Sequence, residues 1–138
     1  MTQATIGAVS TGTLCTKDLL RAYRGKLSEL DTGRDHTKLI YDARITDPDS
    51  EEALYIVDEL ADALQEFAPD YVYFGSLEGD GACFGFWPDI DGAREDGCVY
   101  GDLANAPAIG QTIIVVNDHG NATCYVPEIT WREIWSVV

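Results

Sequence analysis

The sequence predicts an α+β domain in which two to three N-terminal helices pack on an antiparallel sheet of about four to five strands. Three observations lead there. Apolar residues recur at helical spacing as far as Phe67, and from residue 70 the period changes to two. Helices first and strands after is the order of an α+β fold rather than an alternating parallel one. Hydrophobic residues make up 46% of the 138-residue chain, enough to bury one core in a single domain spanning 1–138.

The elements follow in order. Residues 1–15 hold no strong period and are read as a flexible N-terminal arm. In TKDLLRAYRGKLSEL, Thr16 can cap a helix whose Leu19, Leu20, Tyr23, Leu27 and Leu30 share one face, and DTG at 31–33 stops it. Gly25 weakens that helix by about 1 kcal/mol against Ala. HTKLIYDARI, with Leu39, Ile40 and Ala43 on one side, reads as a short second helix, broken by TDPDS. The third helix is the strongest. Asp49 with Glu52 matches a capping box, Ala53, Leu54, Ile56, Val57, Leu60, Ala61, Leu64 and Phe67 form a wide apolar face, and Pro69 ends it.

Strands come next. YVYFGSL and ACFGFW flank EGDG as a hairpin, GCVYGDL adds a short strand, and Ile113–Val116 with Ala122–Val126 form a second hairpin around NDHGN. TWREIWSVV closes the chain. Its Trp131, Ile134 and Trp135 fit a helical period and its β-branched end a strand; the strand is the reading adopted.

Charge narrows the function. The net charge is -15, and it is uneven. Residues 1–44 carry seven Lys/Arg and five Asp/Glu, a balance of +2; residues 45–138 carry two and nineteen, a balance of -17. Such a surface repels nucleic-acid phosphates and anionic lipid and attracts cationic proteins. Direct nucleic-acid binding and membrane association are therefore not expected. No apolar run approaches the ~18 residues of a membrane span, no signal peptide is evident, and the four widely spaced cysteines read as reduced thiols of a cytoplasmic protein.

No motif carries recognisable catalysis. The glycines at 79, 81 and 85 do not fit a dinucleotide fingerprint, no helix is expected after them, and Glu78 and Asp80 would repel a phosphate. DIDG (Asp89, Asp91, Gly92) copies only a fragment of a calcium loop. His119 beside Asp118 fits turn chemistry better than base catalysis, and His36 is expected to be solvated. No metal, no cofactor and no catalytic residue is assigned.

The acidic third helix is more informative. Asp58, Asp62 and Glu66 stand at i, i+4, i+8, with Glu52, Glu59 and Glu66 on a second line. A separation of i to i+4 is about 6 Å along the axis, near two steps of a nucleic-acid strand at about 3.4 Å each. No Lys or Arg occurs from Ile45 to Ala93, so the helix cannot neutralise itself. Two readings are open: a surface presented to a basic groove, or a solvated face balanced by Lys17, Arg21, Arg24 and Lys26 of the first helix.

Beyond the residue chemistry, DYVYFGSLEGDGACFGFWPD followed by IIVVNDHGNATCYV resembles uncharacterised small acidic proteins carried by phages and integrating elements. These share the tyrosine-glycine strand, the GDG turn, the FGFWP segment and the VVNDHGN hairpin, and the resemblance spans roughly residues 16–126. It transfers no catalytic residue. It implies a context in which small acidic proteins inhibit host defence, among them anti-CRISPR and anti-restriction proteins that mimic DNA.

The expectation is a non-enzymatic inhibitor that binds a cationic surface of a host nuclease or defence complex. Its expected contacts are Asp58, Glu59, Asp62 and Glu66 on the helix and Glu78, Asp80, Asp89, Asp91, Glu95 and Asp96 in acidic loops. The alternatives are an interaction module using the aromatic strand residues Tyr71, Tyr73, Phe84, Phe86 and Trp87, and a metal-dependent enzyme using the acidic loops.

Overall fold

The structure is a computed structural model that describes residues 3–105 and 111–126. The fold is α+β, and the chain divides into two compact units, Met1–Asp89 and Ile90–Val138.

The first unit runs β1 (Gly7–Ser10), α1 (Thr16–Leu30), α2 (Thr37–Ile45), α3 (Glu51–Gln65), β2 (Val72–Leu77) and β3 (Asp80–Pro88). Its sheet is antiparallel in the order β1-β3-β2. The helical spacing read from sequence sets the core. Leu19, Leu20, Tyr23, Leu27 and Leu30 of α1 meet Ala53, Ile56, Leu60, Ala63 and Leu64 of α3, with Ala43 of α2 and Phe86 of β3. Aromatic edges join helices to sheet: Tyr23 meets Phe74 at 5.0 Å, and Phe74 meets Phe86 at 5.0 Å. Such pairs add about 0.5–1.5 kcal/mol beyond the area they bury.

Helix ends differ in detail from the sequence reading. Cys15 takes the N-cap position of α1 without a side-chain bond. The hydroxyl of Thr13 instead accepts from the Cys15 N–H and donates to Asp18. For α3 the cap is Ser50 rather than Asp49. Its hydroxyl accepts from the Ala53 N–H at 3.3 Å and donates to the Asp47 carbonyl at 2.6 Å. The buried Asp31 closes the α1–α2 loop by accepting from the Asp35 and His36 N–H groups, which holds Arg34 at a φ of 58°.

Residues expected as a flexible arm supply β1. Its four residues contain one glycine and no clear alternation, so its pairing is specified by distant β3 rather than locally. That pairing depends on Gly85. A Cβ there would run into the Gly7 carbonyl and come within 2.8 Å of the Ala8 Cα. The outer edge of β2 is covered by a side chain: Gln65 accepts from the Phe74 N–H at 2.8 Å and donates to the Val72 carbonyl at 3.4 Å. It stands where the peptide of a further strand would be, which blunts an open edge.

The second unit holds α4 (Ile90–Glu95), β4 (Val99–Tyr100), a 3-10 turn at Leu103–Asn105, β5 (Ile113–Val116) and β6 (Ala122–Tyr125). Its sheet runs β4-β5-β6, with β4 parallel to β5 and β5 antiparallel to β6. NDHGN is the expected turn. The Asn117 side chain accepts from the His119 and Asn121 N–H groups, and Gly120 has a φ of 80°.

The single antiparallel sheet of four to five strands is therefore corrected to two sheets of three strands. In the first unit β1 takes the free edge of β3, and in the second β4 joins β5 in parallel. A helix does follow the glycine stretch, but it is the six-residue α4. The reading of residues 130–138 lies outside the described residues.

Two glycines should respond oppositely to alanine. Gly85→Ala is expected to cost about 2–3 kcal/mol by forcing β1 off β3. Gly25→Ala, in α1 with nothing within 4 Å of the added carbon, should gain about 0.5–1 kcal/mol. Urea denaturation of both variants checks the pair, and a neutral Gly85→Ala would refute the close approach.

Candidate functional site

The candidate site is the outward face of α3. Burial of Ala53, Ile56, Leu60, Ala63 and Leu64 fixes the rotation of the helix, so Asp58, Glu59 and Asp62 point to solvent. Among the described residues no Lys, Arg or His forms an ion pair with any of the three. The basic residues of α1 do not serve as their counterions: Lys26 pairs with Glu29 of its own helix at 3.4 Å, and Lys17, Arg21 and Arg24 form no ion pair with α3.

Glu66 differs from its expected companions. His36 Nε2 lies 2.7 Å from its Oε2, and the imidazole sits edge-on to Phe67 at 5.9 Å. The pair ties the start of α2 to the end of α3. His36, expected to be solvated, is only 20% exposed in its side chain. Glu66 therefore has a structural task inside the fold, while Asp58, Glu59 and Asp62 have none of that kind.

Asp58 reaches inward electrically. Burial pushes the Tyr23 phenol from 10.0 up to about 12, and the negative charge of Asp58 adds to the rise. A neutral phenol is favoured where both the low-polarity core and a nearby carboxylate oppose phenolate.

The acidic loop residues are exposed and come from both units. Glu78, Asp80 and Asp89 belong to the first unit, and Asp91, Glu95 and Asp96 to the second. Several have local work. Asp80 accepts from the Ala82 N–H in the hairpin turn, and Asp91 pairs with Arg94 at 3.4 Å within α4. Among the described residues no three His, Cys, Asp or Glu side chains gather as a metal-holding group.

The aromatic strands are largely spent on the fold. Phe86 is fully buried, and Phe74 and Phe84 pack against the helical core. Tyr73, opposite Trp87 in the register, donates to the Ser76 carbonyl, while the Trp87 indole donates to that of Gly75. Tyr71 is half-buried with a φ of 57°.

Two residues of α3 escaped the sequence reading. The apolar period puts Leu54 on the buried face, yet it is 55% exposed, and Tyr55 is 70% exposed. The buried positions centre on Ala53, Ile56, Leu60 and Leu64, leaving Leu54 a step outside the arc. The signal for Tyr55 is its neighbours: Glu51, Glu52, Asp58 and Glu59 occupy the positions three and four residues away on both sides. Beside Leu54 lies a surface depression of about 280 Å³, walled by Pro48, Glu51 and the start of α1 from Cys15 to Lys17. Its lining mixes Lys17 with Asp49 and Glu51, so it has no single charge preference.

No family model, curated protein or solved structure matches the chain. No described helix is long and apolar enough to cross a membrane.

Two measurements check this geometry. Tyr23 contributes stability that is full below pH 10 and lost as pH rises through about 12, because the unfolded phenol ionises first. Tyrosine difference absorbance should show a late-titrating phenol that disappears in Tyr23→Phe and titrates earlier in Asp58→Asn. In urea, Glu66→Gln should cost about 1 kcal/mol through the lost His36 contact, whereas Asp62→Asn should be neutral or slightly stabilising. Equal effects would remove the distinction between the two carboxylates.

Proposed function

We propose that this is a non-enzymatic acidic protein that binds and inhibits a host nucleic-acid-binding defence complex of the kind targeted by anti-CRISPR or anti-restriction proteins. The observation that carries the reading is the exposure of Asp58, Glu59 and Asp62 on one helix, without an ion-pair partner among the described residues. Like charges at i, i+4 oppose helix formation by a few tenths of a kcal/mol. Their spacing of about 6 Å along the axis suits a groove built for phosphates, so the helix stands in for a nucleic-acid strand. The partner surface is then rich in Lys and Arg. The resemblance to small acidic phage and mobile-element proteins supplies the biological setting, with action in the host cytoplasm.

The helix is favoured over the aromatic strands as the contact surface because Phe86 is buried and the polar tips of Tyr73 and Trp87 are bonded to strand carbonyls.

The test replaces Asp58, Glu59 and Asp62 by Asn, Gln and Asn, leaving Glu66 to its partner His36. The variant should fold with an unchanged or slightly higher melting temperature. Against a panel of DNA- and RNA-binding defence complexes, the wild-type protein should compete with the nucleic acid. For the complex it blocks, the variant should associate about tenfold more slowly at low salt, because long-range attraction sets the encounter rate. Its salt dependence should also be shallower. A blocked complex indifferent to both the substitutions and the salt would overturn the proposal.

A further inference from the structure

The outward face of α3 is not uniformly charged. Leu54 and Tyr55 are 55% and 70% exposed in its N-terminal half. At 3.6 residues per turn, Glu51 and Asp58 fall between these two side chains around the helix, and Glu52 and Glu59 lie beyond Tyr55. The phenol ring thus has a carboxylate at each of its four nearest helical positions, i−4, i−3, i+3 and i+4. Among the described residues none of the four carboxylates is ion-paired, and Tyr55 makes no aromatic contact of the kind that holds Tyr23.

We infer that Tyr55, flanked by Glu51, Glu52, Asp58 and Glu59, is a docking point for an arginine side chain of the partner protein. The inference rests on the cationic-partner reading and names the residue type it selects. Charge complementarity makes the occupant cationic, and the exposed ring makes it arginine rather than lysine. A guanidinium is planar and weakly hydrated, so it stacks on an aromatic face while its remaining N–H groups bond carboxylates at the ring's edge. An ammonium satisfies the carboxylates but stays hydrated and gains less from the ring. Pure phosphate mimicry needs no aromatic group here, and any arginine preference it gives through bidentate carboxylate pairing would survive loss of the ring. With Tyr55 70% exposed, the ring is open to be covered on binding, as interface tyrosines commonly are.

The full chain is titrated calorimetrically with oligo-arginine and oligo-lysine peptides of equal length at low ionic strength. The arginine peptide should bind more tightly by about two- to fivefold. Tyr55→Leu, which keeps every charge, should erase that preference while leaving the lysine affinity and the salt dependence unchanged. Tyr55→Trp should keep or increase the preference. At 70% exposure the substitutions should fold normally, which circular dichroism verifies. Equal affinities in the wild type, or a preference that survives Tyr55→Leu, would overturn the arginine site while leaving the charge-based reading to its own test. Failure of both peptides to bind would overturn both.

Discussion

The contact on which the first unit depends is the aromatic junction between Tyr23 of α1 and Phe74, Phe84 and Phe86 of the sheet. Tyr23 meets Phe74 and Phe84 edge-on at 5.0 and 6.1 Å, and Phe74 passes the contact on to Phe86, which is fully buried. Edge-to-face geometry is directional, so it restricts how α1 can rotate over the sheet. α3 then packs on α1 through Leu60 and Leu64, and its rotation is set in turn. Its ends are held separately: Ser50 caps the start, Gln65 bonds the backbone of β2, and Glu66 meets His36. The exposed carboxylates therefore ride on a helix fixed along its length. Preorganisation of this kind lowers the cost of presenting them to a partner.

Magnitudes separate what folding requires from what it merely tolerates. Each fully buried Leu contributes about 1.5–3 kcal/mol, and Leu27, Leu60 and Leu64 are all fully buried. A like-charge pair at i, i+4 costs a few tenths of a kcal/mol. The core therefore easily outweighs the repulsion along α3, and the charges persist without contributing to stability. Glu66 shows the contrast, since it has both a partner and a position that joins two helices. Folding supplies a reason for Glu66 and none for Asp58 or Asp62.

The first three helices and both hairpins were legible because their patterns are local: a 3.6 period interrupted by DTG and TDPDS, then alternation around EGDG and NDHGN. What was not legible depends on distant pairing or on side-chain competition. β1 has too few apolar residues to announce itself, and only its partner strand, with the gap at Gly85, makes it a strand. The parallel pairing of β4 with β5 leaves no trace in a two-residue strand. Ser50 replaced Asp49 as cap because both residue types serve that role and the backbone decides between them. Within the candidate site, the i, i+4 spacing of Asp58 and Asp62 was visible, but the capture of Glu66 by His36 required tertiary structure. Tyr55 was readable from its acidic neighbours once the apolar arc was drawn narrowly enough to exclude Leu54.

A face made of charge alone would be a poor discriminator. Its attraction reaches only about 8 Å at physiological ionic strength, and within that range it favours any cationic surface. Encounter rate can be high under such conditions, while dissociation stays fast unless a short-range contact forms. An exposed aromatic side chain supplies that second component, because it acts only at contact and depends on the shape of the cation it meets. On α3 the two lie within the same helical turns, with Glu51 and Asp58 beside Tyr55 and Asp62 one turn further on. Under the proposed reading, the arrangement divides recognition of a cationic partner into a long-range step that salt weakens and a contact step that salt affects far less. Neither component is demanded by the core, so each can be altered without rebuilding the fold.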